Sequence, residues 1–85
     1  MKNTEIQTVK VKLMAFGVLT EVLNAKEIIS EVPDNTDELK VWLFNKYKPL
    51  KELQMIIAVN KKIVQDYTHL YDGDEIALLP PFSGG

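Results

Sequence analysis

The sequence predicts an α+β fold in which a mixed sheet of four or five strands packs on one main helix, with a second, short helix beside it. Three observations lead to this prediction. Apolar residues alternate at period two near the N-terminus, a central segment has helical periodicity and a helix-start signal, and apolar runs rich in β-branched residues follow. The chain has 85 residues, which suits one domain.

The first third of the chain alternates between strand and helix signals. Residues 9–15 (VKVKLMA) are apolar at every second position, which predicts a strand with one buried face that ends at Phe16-Gly17. Residues 18–24 (VLTEVLN) have helical spacing and predict a short helix. Residues 26–32 (KEIISEV) are rich in β-branched residues and stop before a proline, so they predict a second strand.

The main helix begins with a capping signal. Asn35 can cap the free backbone N–H groups, and Glu38 lies three residues further on, in the capping-box position. The helix is expected to run from about Thr36 to Tyr47, and Pro49 ends it. The residues predicted to share its buried face are Leu39, Trp42, Leu43 and Tyr47.

The last third indicates strands joined by turns. Residues 55–59 (MIIAV) are apolar throughout and suit a strand that is covered on both faces. The next elements are a turn at 60–62, a short strand at 63–65, a loop at 66–71, a tight turn at Asp72-Gly73-Asp74 and a final strand at 75–79. This order of strands and helices is that of the β-grasp, or ubiquitin-like, arrangement.

Composition excludes several classes of function. Lys plus Arg is 10 and Asp plus Glu is 12, so the net charge of −2 argues against a nucleic-acid-binding protein. The absence of Cys excludes a disulfide framework, a zinc–thiolate site and a cysteine nucleophile. Residues 1–8 form a polar extension without the apolar region of a secretion signal, and no apolar run approaches the ~20 residues of a membrane span. We therefore expect a cytoplasmic protein with no membrane partner.

Conventional catalytic and metal-binding motifs are not predicted. His69 is the only histidine, and no Gly-x-Ser-x-Gly elbow surrounds Ser83, so a catalytic triad is not indicated. Asp72 and Asp74 lack the spacing of a calcium loop and are interpreted as turn carboxylates. We expect no metal site and no catalytic pocket on this chain.

The C-terminal tail, residues 80–85 (PPFSGG), is the most unusual segment, and it follows a domain at residues 9–79. Two prolines favour an extended tail that projects from the last strand. Six residues reach at most about 20 Å, which is long enough to enter a pocket on another protein. Because Gly84 and Gly85 have no side chain, we predict that the functional group is the carboxylate of Gly85, activated by a partner.

Three stretches carry a resemblance to a known family. Residues 72–85 (DGDEIALLPPFSGG), residues 58–60 (AVN) and residues 11–24 (VKLMAFGVLTEVLN) resemble the MoaD family, the small sulfur-carrier subunits of molybdopterin synthase. The resemblance covers residues 9–85. Gly17-Val18 stands where members of the family often have a basic or polar residue.

The resemblance implies a mechanism. A MoeB-like activating enzyme would use ATP to adenylate the Gly85 carboxylate, and a sulfur donor would convert it to a thiocarboxylate. The tail would then enter the active site of a MoaE-like large subunit, where the sulfur attacks cyclic pyranopterin monophosphate. The two kinds of subunit would form a heterotetramer, and this chain would bind no cofactor itself.

The expected contacts with the large subunit begin with the tail residues Pro80, Pro81, Phe82, Ser83 and Gly84. Phe82 is expected to be the principal aromatic anchor, because an aromatic beside an exposed carboxylate has little core to join. Leu79 is expected to join this interface. Phe16 and Met14 either extend it or form a second small core on the other face of the sheet.

Three alternatives remain open at this stage. The chain could be a ThiS-like carrier for thiazole synthesis, or a sulfur carrier for another pathway. It could be a ubiquitin-like protein modifier that is joined to target lysines through Gly85. It could also be a β-grasp interaction module whose tail has no function.

Overall fold

The computed structural model describes residues 7–81, which form a five-stranded mixed sheet packed against helices. The elements are, in chain order, β1 (Thr8–Ala15), α1 (Leu19–Leu23), β2 (Glu27–Pro33), α2 (Thr36–Lys46), a 3-10 helix (Lys48–Glu52), β3 (Ile56–Val59), β4 (Lys62–Val64) and β5 (Glu75–Leu79). The predicted α+β fold of the β-grasp type is confirmed. The sheet has five strands, α2 is the main helix and α1 is the short one.

The sheet has the strand order β2-β1-β5-β3-β4. The two central strands, β1 and β5, are parallel, and their register pairs Leu13 with Ile76 and Ala15 with Leu78. All other neighbouring strands are antiparallel. Because β1 and β5 run in the same direction, their C-terminal ends lie side by side, and the chain leaves β5 at the end of the sheet where β1 also ends.

The hydrophobic core lies on one face of the sheet. Alternation along the strands turns one set of apolar side chains inward, where the helices cover them. The fully buried residues that meet there include, from the strands, Leu13, Ile76 and Leu78 and, from the helices, Leu19, Leu39, Leu43 and Leu50. Within residues 7–81, α1, α2 and the 3-10 helix therefore all pack against the same face of the sheet. The opposite face of the sheet is called the open face below.

Helix α2 begins as its sequence predicts. Asn35 has an extended backbone (φ −153°), and its side-chain oxygen accepts a hydrogen bond of 2.9 Å from the backbone N–H of Glu38. Leu39 and Leu43 are buried and Trp42 is half-buried, so the predicted inner face is confirmed. The helix ends at Lys46. The following chain forms a 3-10 helix, which tolerates Pro49 in its first turn because no backbone N–H is needed there.

The connections between the last strands are tightly held. Asn60 and Lys61 have positive φ values (50° and 75°) and form the two-residue turn between β3 and β4. In the predicted loop 66–71, Leu70 is fully buried and its N–H donates to the carbonyl of Asp34 at 2.8 Å. No helix within residues 7–81 has the length and apolar character needed to cross a membrane.

Candidate functional site

The starting point of the tail is fixed by the sheet. Leu79, the last residue of β5, pairs with Ile56 of β3, and β5 is hydrogen-bonded to β1 on its other side. Pro80 is half-buried and Pro81 is exposed. Four of the predicted tail residues, namely Phe82, Ser83, Gly84 and Gly85, lie outside the described residues. Since β5 lies between β1 and β3, Pro80 and Pro81 continue directly from a central strand of the sheet.

An apolar surface lies on the open face next to this starting point. The strand register aligns Met14, Ala77, Ala58 and Ile63 across four strands, and Leu79 and Ile56 form a second pair nearer the tail. Ala58 is buried, Ile63 is 54% exposed and the other four are half-buried. We call this surface the open-face patch, and its members are Met14, Ile56, Ala58, Ile63, Ala77 and Leu79.

The predicted interface residues Leu79, Met14 and Phe16 lie together at this end of the sheet. Leu79 and Met14 belong to the open-face patch. Phe16 follows β1 directly, its N–H donates to the carbonyl of Leu78 at 3.2 Å, and its side chain is 45% exposed. Since none of the three belongs to the buried core cluster, their apolar surface is available for contact with another molecule.

A pair of charged residues forms the boundary of the open-face patch on the side away from the tail. Lys12 lies between Ile29 and Glu75 in the register, and its Nζ is 3.9 Å from the carboxylate of Glu75. This ion pair is partly exposed and its charges are 3.9 Å apart, so it contributes little to stability. It does divide the open face into an apolar half near the tail and a charged half at the start of β5.

The Asp72-Gly73-Asp74 turn is a structural feature at the opposite end of β5 from the tail. Asp72 Oδ1 accepts a hydrogen bond of 2.8 Å from the Lys10 N–H, and Asp74 Oδ2 accepts one of 2.9 Å from the Tyr71 N–H. Asp74 Oδ1 also accepts from the side-chain amide of Asn60 at 3.0 Å. The two carboxylates thus hold the turn, and no group of three or more His, Cys, Asp or Glu side chains within 7–81 is placed to bind a metal ion.

The same contacts join two of the stretches that carried the family resemblance. Asn60 ends the AVN stretch, and its side-chain oxygen accepts a hydrogen bond of 2.9 Å from the N–H of Glu75 in the DGDE stretch. The backbone N–H of Asn60 donates to the Glu75 carbonyl at 2.7 Å. Asn60, Asp74 and Glu75 thus hold these two stretches together.

His69 is an exposed loop residue. Its ring packs edge-on against Tyr71, with centroids 4.6 Å apart, and its Nε2 is 4.0 Å from the carboxylate of Asp34. The backbone of His69 also forms an isolated antiparallel β-bridge with Asn35. This bridge is close to the end of β2, which pairs with the start of β1. It is therefore at the opposite end of the sheet from the point where the tail begins.

Sequence reasoning did not identify the full open-face patch. Ile56 and Ala58 were assigned to a strand expected to be covered on both faces, and Ile63 and Ala77 only to strands, so no exposed surface was predicted there. The signal that could have found them is the outward position of each in its strand. A strand at the surface normally carries polar residues at such positions, whereas β3 and β5 carry isoleucine, alanine and leucine there.

Comparison with known proteins identifies the family of the chain. The model of the ThiS family matches residues 13–85. A molybdopterin synthase sulfur carrier subunit from Caenorhabditis briggsae is 34% identical over 83 residues, which cover 91% of this chain and 99% of that protein.

Two solved structures extend the comparison. One is a complex of subunits 1 and 2 of the molybdopterin-converting factor from Helicobacter pylori, in which the matched chain is 31% identical, with a TM-score of 0.67 and coverage of 91% of this chain and 100% of that one. The other is small archaeal modifier protein 1 from Methanosarcina acetivorans, 25% identical, with a TM-score of 0.76 and coverage of 93% and 99%. The chain therefore belongs to the ThiS family of ubiquitin-like β-grasp proteins, and its resemblance to MoaD is confirmed.

Proposed function

We propose that this chain is the sulfur carrier subunit of a molybdopterin synthase and acts in molybdenum cofactor biosynthesis. The observation that carries the proposal is the match, over nearly the whole chain, to proteins named as sulfur carrier subunits. The position of the tail supports it as well. A reactive C-terminus must reach a partner's active site, and here the tail leaves from the end of a central strand beside an exposed apolar surface.

The proposed chemistry takes place at the Gly85 carboxylate. A carboxylate is a poor electrophile, so a MoeB-like activating enzyme would first transfer AMP to it from ATP, with release of pyrophosphate. A sulfur donor would then displace AMP and leave a thiocarboxylate. This group is an ionised and soft nucleophile at neutral pH, and it would attack cyclic pyranopterin monophosphate in the active site of the large subunit.

The large subunit is proposed to supply the substrate-binding and acid–base groups. The described part of this chain brings together no such groups, and its aspartates at 72 and 74 serve the turn. ATP and the pterin would thus be bound by partners. The carrier would contribute the sulfur, the tail and a docking surface, and so would act as one component of a sulfurtransferase complex.

The docking surface for a MoaE-like large subunit is proposed to be the open-face patch together with Phe16 and the tail. The patch adjoins Pro80, so a partner that covers it also receives the tail without a long linker. Met14 and Leu79 lie at the centre of this arrangement and Ile63 at its rim. Phe82 would add an aromatic anchor. A heterotetramer with the large subunits at its centre is the assembly proposed.

The proposal is tested first by the intact mass of the chain purified from sulfur-replete cells. Fragmentation should locate a replacement of oxygen by sulfur on Gly85. A variant that lacks Gly85 is the control and should remain unmodified, with an unchanged far-UV circular dichroism spectrum. A wild-type terminus that stays unmodified after incubation with ATP, a sulfur donor and a MoeB-like enzyme would refute the proposal.

The pathway is tested by pairing the loaded carrier with a large subunit. Conversion of cyclic pyranopterin monophosphate in the presence of a MoaE-like subunit supports the molybdopterin assignment. Sulfur transfer to a thiazole synthase, with none to the pterin, would instead make the chain a ThiS-like carrier. Both outcomes require the same thiocarboxylate, so this experiment distinguishes pathways and not carrier activity.

A second candidate function is protein modification through Gly85. It is favoured by the likeness to small archaeal modifier protein 1, which shares the fold over almost the whole chain. The activation step would be the same in both functions. Peptides from other proteins that carry the C-terminus of this chain on lysine would support the modifier. Their absence from cells in which the thiocarboxylate is present would leave the sulfur carrier.

A further inference from the structure

Gly17 lies in close contact with the first residue of the tail. It follows β1 and has a φ of +60°, a conformation that residues with a Cβ rarely adopt. A Cβ built on Gly17 would lie 3.0 Å from Cγ of Pro80, and 3.7 and 3.8 Å from its Cδ and Cβ. The proline ring thus occupies space that a side chain at position 17 would need.

The backbone on both sides of this contact is firmly held. The carbonyl of Gly17 accepts hydrogen bonds from the Thr20 N–H at 3.0 Å and from the Thr20 hydroxyl at 2.8 Å. The Leu19 N–H donates to the Phe16 carbonyl at 3.1 Å, and the Leu19 side chain is fully buried. On the other side, Pro80 directly follows the paired end of β5. Neither partner can move away without loss of these interactions.

We propose that Gly17 is a positioning residue for the tail, because its bare Cα forms the surface on which Pro80 rests and so sets the direction in which the tail leaves β5. The role in sulfur transfer rests on the proposed function. The contact itself does not depend on that function.

A small displacement of Pro80 changes the direction in which the chain continues, and its effect grows with distance from Pro80. Relief of the contact needs a shift of about 0.5 Å, which at one residue from Leu79, ~3.8 Å, is a rotation of roughly 8°. Five residues in a fully extended conformation would reach about 16 Å, and over that length the same rotation would correspond to a displacement of about 2 Å. Misplacement of a reacting group by ~1 Å can cost about 100-fold in rate.

The test compares Gly17→Ala with Gly73→Ala as a matched control. Gly73 also has positive φ (+90°), but no atom lies within 4 Å of the place where its Cβ would be. Both variants should therefore lower Tm, by about 4–8 °C for each kcal/mol lost. Only Gly17→Ala should displace the tail. Pro80→Ala removes Cγ and Cδ and leaves an ordinary contact at 3.8 Å, so it should relieve the clash.

The first readout uses the free protein and needs no partner. Nuclear Overhauser effects are expected between the α protons of Gly17 and the ring protons of Pro80. Gly17→Ala should shift the amide resonances of residues 82–85, and Gly73→Ala should leave them in place. Absence of the Overhauser effects, or equal shifts in both variants, would overturn the inference.

The second readout is ATP–pyrophosphate exchange by a MoeB-like enzyme that adenylates the wild-type chain. Below the Tm of every variant, Gly17→Ala should raise the KM for the carrier about tenfold or more, since the terminus is misplaced. In the Pro80→Ala background the same substitution should cost less than about twofold. Equal losses in Gly17→Ala and Gly73→Ala would remove the positioning role. Failure of every such enzyme to adenylate the wild type would instead refute the proposed function, and the resonance measurements would still decide whether Gly17 directs the tail.

Discussion

Asn60 is predicted to be a major stabilising residue, although it is exposed and lies outside the core. Replacement by alanine removes two side-chain hydrogen bonds, from the Asn60 amide to Asp74 (3.0 Å) and from the Glu75 N–H to the Asn60 oxygen (2.9 Å). At such exposed positions the pair contributes about 1–2 kcal/mol. Alanine at a φ of +50° adds about 1–2 kcal/mol of strain. The free energy of unfolding should therefore fall by about 2–4 kcal/mol, from a total of about 5–15 kcal/mol.

The measurement is urea unfolding followed by the fluorescence of Trp42, the only tryptophan, which is half-buried against the core. Asn60→Gly is the matched variant, because it loses the same hydrogen bonds and accepts positive φ. It should be destabilised by only about 1–2 kcal/mol. Equal values for alanine and glycine would show that backbone strain at position 60 is absent. A loss below about 0.5 kcal/mol in both variants would refute the role of the Asn60 side chain.

Three further predictions address the core, the main helix and the docking surface. Leu43→Ala should lower the free energy of unfolding by about 2–5 kcal/mol, because this side chain is fully buried, and urea unfolding would show it. Asn35→Ala should lower it by about 1 kcal/mol through loss of the helix cap, whereas Asn35→Asp should retain most of the stability in the same assay. Ala77→Asp should weaken calorimetric binding of a MoaE-like subunit about 10- to 100-fold, since it introduces an unpaired charge into the open-face patch. Ile29→Asp, on the same face but beyond the Lys12–Glu75 pair, should bind normally; equal losses in both would refute this docking surface.

The elements of the fold were predictable because their signals are local. Alternation along residues 9–15 and the Asn35 cap each specify a strand or a helix start from a few adjacent residues, and both are confirmed. The tight turn at Asp72-Gly73-Asp74, in which Gly73 has a positive φ, was predicted for the same reason. The 3-10 helix at Lys48–Glu52 was not predicted, since a proline signals the end of an α-helix but does not specify the conformation of the next residues.

The burial of Leu70 within the loop at residues 66–71 could not be predicted, because it depends on contacts between distant segments. Leu70 is fully buried in a loop that is held by hydrogen bonds from Leu70 to Asp34 and between Thr68 and Thr36, more than 30 positions earlier in the chain. The Thr36 N–H donates to the Thr68 carbonyl, and the Thr68 N–H donates to the Thr36 hydroxyl, both at 3.0 Å. Nothing in the loop's own sequence has strand or helix periodicity. A single aliphatic residue in such a loop is not informative until the neighbouring segment is known.

The chemistry assigned to the tail stays a prediction from the sequence, whereas the surface beside the tail could not be predicted without the fold. The prolines and glycines of the tail indicate a projecting carboxylate by local arguments alone. The open-face patch depends on a register that aligns Met14, Ala77 and Ala58 from three strands. The contact of Gly17 with Pro80 likewise joins residues that are far apart in sequence and meet only because β1 and β5 are parallel.

The parallel pairing of β1 and β5 also places the hydrogen bonds of the Asp72-Gly73-Asp74 turn at one end of the sheet and the proposed functional surface at the other. The ends of both strands lie beside the tail, where the open-face patch and the Gly17–Pro80 contact are found. Both strands begin at the opposite end of the sheet, where Asp72 and Asp74 accept hydrogen bonds from backbone and side-chain amides. A substitution of Asp72 or Asp74 is therefore expected to change how much of the protein is folded and to leave the direction of the tail unaltered. A substitution at Gly17 is expected to redirect the tail while most of the core remains intact. The proposed sulfur transfer, measured at temperatures well below unfolding, should distinguish the two kinds of substitution.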